Sequence, residues 1–128
     1  MTVSTLFRID RRGGVPVYAQ LVAQVRQAIR MGRLAPGARL PTAREVAEGL
    51  VVNPNTVLKA YRELELAGLV EARQGSGTYV RADLETTGPP PDLAALRDDL
   101  AAWSARAHAA GLTRADLHAM LDEVVHAG

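Results

Sequence analysis

A short block near the middle of the chain, Asn53-Pro54-Asn55-Thr56-Val57, constrains the fold more than any other part of the sequence. Asn53 is a favourable N-cap residue, because its side-chain oxygen can accept a backbone N–H from the first helical turn. Proline fits the next position, since the N–H that it lacks would have no helical partner there. The block therefore predicts that a helix begins at Pro54.

The residues that follow separate into two faces of this helix. Asn55, Lys59 and Arg62 share one face, at i, i+4 and i+7. The opposite face is apolar and is made of Val57, Ala60, Tyr61 and Leu64. Such a helix can pack on a core while its polar, cationic front enters the major groove of DNA.

A second helix and a hairpin flank this element. Thr42 and Glu45 have the spacing of a capping box, which predicts a short helix directly upstream. Strand-like runs at 69–72 and 78–81 enclose the glycine-rich residues 74–77, which predicts a β-hairpin. Helical spacing predicts a further helix over 16–31, and residues 6–9 are predicted as a short extra strand. Together these elements predict a helix-turn-helix followed by a hairpin.

Five motifs, in this order and at these spacings, resemble the winged helix-turn-helix of the GntR family of bacterial transcription regulators. The motifs occupy residues 16–21, 37–47, 53–57, 61–70 and 73–80, so the resemblance covers roughly residues 5–82. The Asn-Pro-Asn-Thr-Val block and the short C-terminal remainder are most similar to the YtrA-type subfamily. The resemblance implies an α+β, mostly α fold and a dimeric repressor that binds a pseudo-palindromic operator in double-stranded DNA. It further implies control of the protein's own operon and suggests transporter genes as additional targets.

The charge distribution divides the chain near residue 82, where the resemblance to the family ends. Residues 1–82 carry 12 Lys and Arg against 6 Asp and Glu, whereas residues 83–128 carry 3 against 8. The alternative is that these charges simply occupy solvated faces. We expect a DNA-binding domain over 1–82, a proline-rich linker over 83–91 and a two-helix region over 92–128.

The two C-terminal helices are predicted to form a homodimer. Their apolar positions recur every three or four residues, and two isolated helices of this size cannot bury them alone. The alternative is that both helices pack on their own winged-helix domain. The candidate dimer residues are Leu93, Leu96, Leu100, Trp103, Leu117, Leu121 and Val124.

Residue type, position and family resemblance together indicate which residues contact DNA. They are Arg39, Thr42, Arg44, Asn53, Asn55, Thr56, Leu58, Lys59, Arg62, Arg73, Gln74 and Gly75. The resemblance places a guanine-reading arginine at Arg44, and arginine fits guanine O6 and N7 in a bidentate manner. The alternative for Arg44 is a solvated ion pair with Glu48. Resemblance also implies that Gln74 and Gly75 at the wing tip enter the minor groove.

Three residues depart from the commoner family pattern. Ala43 replaces a frequent acidic or polar residue, and Pro54 and Leu58 stand where many relatives carry arginine. Pro54 cannot read bases, whereas Leu58 can touch a thymine methyl group or pack against the wing. The operator of better-known relatives therefore does not transfer to this chain.

Other chemistries find little support in the sequence. Cysteine is absent, which excludes thiol catalysis, disulfides and Cys-type zinc sites. His118, Asp122 and His126 share one helical stripe, but a fourth metal ligand is missing nearby, so no metal or other cofactor is expected. No nucleophile has an evident partner base, and no enzymatic function is expected. Without a signal-peptide or membrane-spanning segment, we expect a cytoplasmic protein without membrane contact.

Two classes of function remain open at this stage. The first is a sequence-specific repressor, whose small-molecule effector, if it has one, the sequence does not identify. The second is a DNA-binding accessory protein with little sequence preference, or an adaptor that uses its acidic helices to bind a protein. Relative affinity for an operator and for bulk DNA discriminates between these classes.

Overall fold

Residues 3–84 and 89–127 are described by the computed structural model, and over these residues helices predominate. The helices are α1 (Val3–Leu6), α2 (Val17–Arg30), α3 (Ala43–Leu50), α4 (Pro54–Leu66), α5 (Leu93–Ala109) and α6 (Arg114–Ala127), and the strands are β1 (Val70–Arg73) and β2 (Gly77–Val80). Two compact units contain these elements, Met1–Pro89 and Pro90–Gly128. The mostly helical fold with a wing after the helix-turn-helix is confirmed. None of the helices within the described residues has the length and apolar character needed to cross a bilayer.

The two helices of the helix-turn-helix, α3 and α4, begin where the sequence predicts. Thr42 and Glu45 form the reciprocal capping box at α3, with the Glu45 N–H donating to Thr42 Oγ1 at 3.1 Å. Asn53 Oδ1 accepts the Asn55 N–H at 2.8 Å, and Pro54 is the first residue of α4. Behind the helices lies a core that includes the fully buried side chains of Leu21, Leu40, Leu64, Val25, Val46, Val57, Val70 and Val80.

The turn between α3 and α4 contains a strained residue. Val51 has φ 55° and ψ 56°, and among the described residues it is the only non-glycine with a positive φ. A left-handed conformation costs an L-residue roughly 1–2 kcal/mol. Two backbone N–H groups, those of Val51 and Val52, donate to the carbonyl oxygen of Ala47 and close α3.

The wing is a hairpin with a third backbone partner. β1 and β2 pair antiparallel in a register that sets Val70 opposite Val80 and Arg73 opposite Gly77. On the other edge of β2, the Leu40 N–H donates to the Thr78 carbonyl, and the Val80 N–H donates to the Ala38 carbonyl, both at 2.8 Å. The segment leading into α3 is thereby fixed to the wing.

The prediction of a strand over residues 6–9 is wrong. Leu6 ends α1, and residues 7–12, here called the arm, run beside α2. The arm's backbone is bonded to side chains of α2 in place of a neighbouring strand. Gln24 exchanges two hydrogen bonds with the backbone of Arg8 (2.9 and 2.6 Å), and Gln20 exchanges two with that of Asp10 (2.8 and 2.7 Å).

The C-terminal unit is a pair of helices joined at Gly111, which has φ 92°. Thr113 caps α6 as predicted, since its Oγ1 accepts the Asp116 N–H at 3.2 Å and the Asp116 carboxylate accepts the Thr113 N–H at 2.9 Å. The bond from the Thr113 backbone lowers the pKa of Asp116. Of the predicted linker, residues 85–88 lie outside the described residues.

Candidate DNA-binding surface

The front of α4, the N-terminus of α3 and the wing line one open groove of about 420 Å³. Three of the predicted contact residues meet there, Thr42 at the N-cap of α3 and Leu58 and Arg62 from α4, opposite Gly77 and Thr78 of β2. Leu58 is 47% exposed, so its side chain lies in the groove and leaves apolar surface accessible. The groove thus brings together residues that are separated by up to 36 positions in sequence.

The N-terminus of α4 exposes its polar residues beside this groove. Asn53 and Asn55 are both exposed, and Thr56 is half-buried. The Asn53 side-chain oxygen is committed to capping, while its amide group is a remaining donor. Asn55 receives the cap through its backbone N–H, which leaves its side chain to contact another molecule.

Two predicted DNA-contacting arginines are ion-paired in the protein alone. Arg44 Nε lies 3.1 Å from Glu48 Oε1, and the two side chains are 88% and 69% exposed. Arg73 lies 2.9 Å from a carboxylate oxygen of Glu71 and stacks over the Tyr79 ring, 4.2 Å from its centroid. Exposed pairs of this kind contribute about 0–1 kcal/mol, so a stronger acceptor can displace the carboxylates.

The remaining predicted cations have other environments. The Lys59 ammonium lies 3.8 Å from the centre of the Tyr18 ring of α2, where a cation–π interaction orients it. Arg39 crosses closely over Gly77: a Cβ built on that glycine would lie 3.0 Å from Arg39 Nε. Arg39 and Arg62 are exposed and form no ion pair within residues 3–84 and 89–127. Gln74 and Gly75 are exposed at the wing tip.

The hydroxyl of Tyr61 has a structural role that the apolar pattern of α4 does not reveal. It donates a hydrogen bond to the carbonyl oxygen of Pro41, twenty positions upstream, and ties α4 to the entry of α3. Burial, and secondarily the negative charge of Glu45, raise the pKa of Tyr61, so the hydroxyl keeps its proton. A tyrosine rather than a leucine on the buried face of α4 was the available sequence signal.

Removing this hydroxyl is expected to destabilise the DNA-binding unit. Tyr61→Phe leaves the buried Pro41 carbonyl without its donor, which costs about 1–3 kcal/mol. Thermal unfolding followed by circular dichroism measures the change. Tyr79→Phe is the matched control, because it removes a hydroxyl from a less buried ring in the same unit. Equal stability of the Tyr61→Phe variant and the wild type would contradict the assigned role.

The metal candidates of the last helix are not assembled into a site. His118, Asp122 and His126 are exposed on α6. In the part of the chain that the structure describes, no three histidine or carboxylate side chains are placed to hold a metal ion.

Comparison with known proteins identifies the family of the unit that contains the groove. The family model described as bacterial regulatory proteins, gntR family, matches residues 17–80, which include α2, α3, α4 and the wing. This chain belongs to the GntR family. It is an HTH-type transcriptional regulator and not an enzyme.

The similarity to individual relatives extends beyond the DNA-binding unit. The HTH-type transcriptional repressor YtrA of Bacillus subtilis is 35% identical to this GntR chain over 119 residues, which are 93% of this chain and 92% of the repressor. The structure of YtrA from Sulfolobus acidocaldarius, a GntR-family transcription factor, aligns with a TM-score of 0.57 and 29% identity over 94% of this chain and 97% of that one. The DNA-binding domain of AraR, solved in complex with operator ORX1, aligns with a TM-score of 0.50 and 32% identity over 59% of this chain and 92% of that one. The predicted resemblance to YtrA-type GntR regulators is confirmed.

Proposed function

We propose that this GntR regulator is a repressor that binds a two-fold operator as a homodimer, with α4 in the major groove and the wing tip in the minor groove. The observation that carries the proposal is the shared groove, because residues of α4, of the N-terminus of α3 and of the wing line it together. Its surroundings supply both kinds of contact that DNA recognition needs: cations for phosphates and amides or guanidinium groups for base edges.

The phosphate contacts are assigned by charge and by exposure. Arg62 and Arg39 are exposed and without carboxylate partners among the described residues, so they lose no intramolecular pair on binding DNA. Lys59 approaches the backbone with its direction fixed by Tyr18, and Arg73 exchanges Glu71 for a phosphate. The Thr42 and Thr56 hydroxyls and the two helix N-termini add neutral donors.

The base contacts are assigned to Arg44, Asn55 and Leu58. Arg44 reads guanine after leaving Glu48, and Asn55 offers an amide donor and acceptor to adenine. Leu58 presents exposed apolar surface to a thymine methyl group. Gln74 and Gly75 at the wing tip approach the minor groove, where glycine permits close backbone contact.

Dimerisation is assigned to α5 and α6. Within this helix pair, Ala107 and Leu117 are buried, whereas many larger apolar side chains are exposed in the protomer. The exposed ones are Leu96, Leu100, Met120, Leu121, Val124 and Val125. An apolar groove of about 370 Å³ between the helices is lined by Leu100, Trp103, Leu117 and Leu121. A second copy of the same helix pair covers such a surface most economically, since a two-fold interface is self-complementary.

The names of the relatives support repression and operator binding. B. subtilis YtrA is described as a repressor, and the AraR domain with the same fold was solved on an operator. By analogy with the YtrA type, the operator lies upstream of the protein's own operon, with transporter genes as further targets, and the protein acts in the cytoplasm.

Competition binding at fixed salt tests the proposal. The wild-type protein is expected to prefer a duplex from the region upstream of its own gene over bulk DNA by at least ~10³. Protection of that duplex from hydroxyl radicals should show two half-sites related by two-fold symmetry. Equal affinity for both DNAs would instead identify an accessory protein with little sequence preference, and no affinity for either would favour an adaptor.

A further inference from the structure

The arm ends at a contact with the turn of the helix-turn-helix. Arg11 Nη2 donates to the carbonyl oxygen of Leu50 at 2.8 Å and lies 3.3 Å from that of Val51. Leu50 is the last residue of α3, so the guanidinium also lies at the negative end of the helix dipole. Nearly 40 positions separate Arg11 from these carbonyls, and no sequence motif links them.

These two carbonyls define the conformation of the strained residue. They belong to the peptide groups on either side of Val51, so their relative orientation is set by its φ and ψ, 55° and 56°. Helical-type angles of either hand direct consecutive carbonyls the same way, whereas extended angles direct them apart. A single guanidinium that binds both oxygens therefore disfavours the extended conformation that a β-branched residue otherwise prefers.

The conformation of Val51 matters because only residues 51–53 connect the two helices. A change at Val51 moves Asn53 and the N-terminus of α4 relative to α3. We propose that Arg11 is a positioning residue for DNA recognition, which holds the turn so that Arg44 on α3 and Asn55 on α4 reach the same half-site. This inference rests on the proposed function of the groove.

The arm delivers Arg11 to this place through a matched spacing. Gln20 and Gln24 lie one helical turn apart, a rise of about 6 Å, and the two arm residues that they bind span about 6.6 Å when extended. The arm is thereby held in one register along α2, and Arg11, the residue after Asp10, donates to the end of α3.

Hydrogen exchange tests the local part of the inference without DNA. In Arg11→Ala, the N–H groups of Val51 and Val52 are expected to exchange at least about tenfold faster, while those in the interior of α2 and α4 are unchanged. Arg12→Ala is the matched control, because Arg12 is an adjacent exposed arginine with no side-chain hydrogen bond or ion pair among the described residues. Unchanged exchange at Val51 and Val52 would overturn the inference.

DNA binding tests the functional part. With a duplex that the wild-type protein has selected from a random library, Arg11→Ala is expected to lose roughly tenfold in affinity, with the slope against salt unchanged. A flatter slope would instead make Arg11 a phosphate contact and overturn the positioning role. If the wild type selects no sequence, the proposed function fails, and the exchange experiment still decides the role of Arg11 in the turn.

Substitution of the strained residue provides the decisive cross-check. Glycine adopts φ 55° without strain, so in a Val51→Gly background the turn needs Arg11 less. Arg11→Ala is then expected to cost less than about threefold in affinity. A loss of the full tenfold in both backgrounds would contradict the inference. If Arg11→Ala does not fold, Arg11→Lys replaces it in the same comparison. Its loss of affinity is expected to be larger in the wild-type background than in the Val51→Gly background, and equal losses would contradict the inference.

Discussion

Replacing Leu100 and Trp103 together by aspartate is expected to make the protein monomeric and to reduce its affinity for the full operator by about 10²-fold or more. Both side chains line the apolar groove of the α5–α6 pair. Two carboxylates buried there without partners cost far more than a small interface can offset. A monomer keeps its contacts to one half-site and loses the benefit of the linked second site.

Sedimentation equilibrium measures the mass of the protein in solution. Duplexes with one or two half-sites separate the affinity for a single half-site from the gain that the linked second site provides. The half-site duplex should be bound with nearly unchanged affinity. The matched control is Ala102→Asp with Ala105→Asp, which adds the same charge to exposed positions of α5 outside the groove. A Leu100/Trp103 variant that remains dimeric would show that the protomers associate through another surface.

Arg44→Ala is expected to weaken operator binding by about 1–3 kcal/mol and to relax preference at one base pair of each half-site. The free energies of the two interactions of Arg44 explain why its ion pair with Glu48 does not prevent base reading. That pair is exposed on both sides and contributes about 0–1 kcal/mol, which is less than a bidentate contact with guanine. Selection from a library randomised across the half-site measures the change in preference.

Two further variants separate base reading from other roles of Arg44. Glu48→Ala removes the same ion pair but leaves the arginine, so it is expected to keep the base preference and to bind slightly tighter. Lys59→Ala is expected to weaken binding to all sequences alike and to flatten the salt dependence. If Arg44→Ala leaves the preference profile unchanged, Arg44 does not read a base.

The parts of the fold that the sequence predicts well are those decided by local chemistry. The Thr42–Glu45 box, the Asn53 cap and the Thr113 cap each involve residues two or three positions apart. Their hydrogen bonds depend on the backbone of one helical turn, so residue type and spacing suffice to predict them. The wing follows in the same way from glycines between two strand-like runs.

What the sequence does not predict depends on contacts between distant segments. The sequence predicts a strand over residues 6–9, but Gln20 and Gln24 supply the backbone partners of the arm, and a glutamine on a helix gives no sign of this role. Lys59 is predicted as a DNA-facing cation, and no sequence motif singles out Arg11, whereas each is oriented by a partner on another element. Such pairings follow from the packing of helices, which periodicity alone does not define.

The hydrogen bonds from Gln20 and Gln24 to the arm also predict how this chain tolerates changes in length. Irregular surface segments usually accept insertions and deletions, because few contacts depend on their exact position. Here the backbone of Arg8 and Asp10 is bound every second residue, while Phe7 is buried in the core. Deleting one residue between Phe7 and Arg11 would exchange inward-facing and outward-facing side chains, as a slip of one residue does in a sheet. Among relatives, length variation is therefore expected in Gly13 and Gly14 after the arm and not within it.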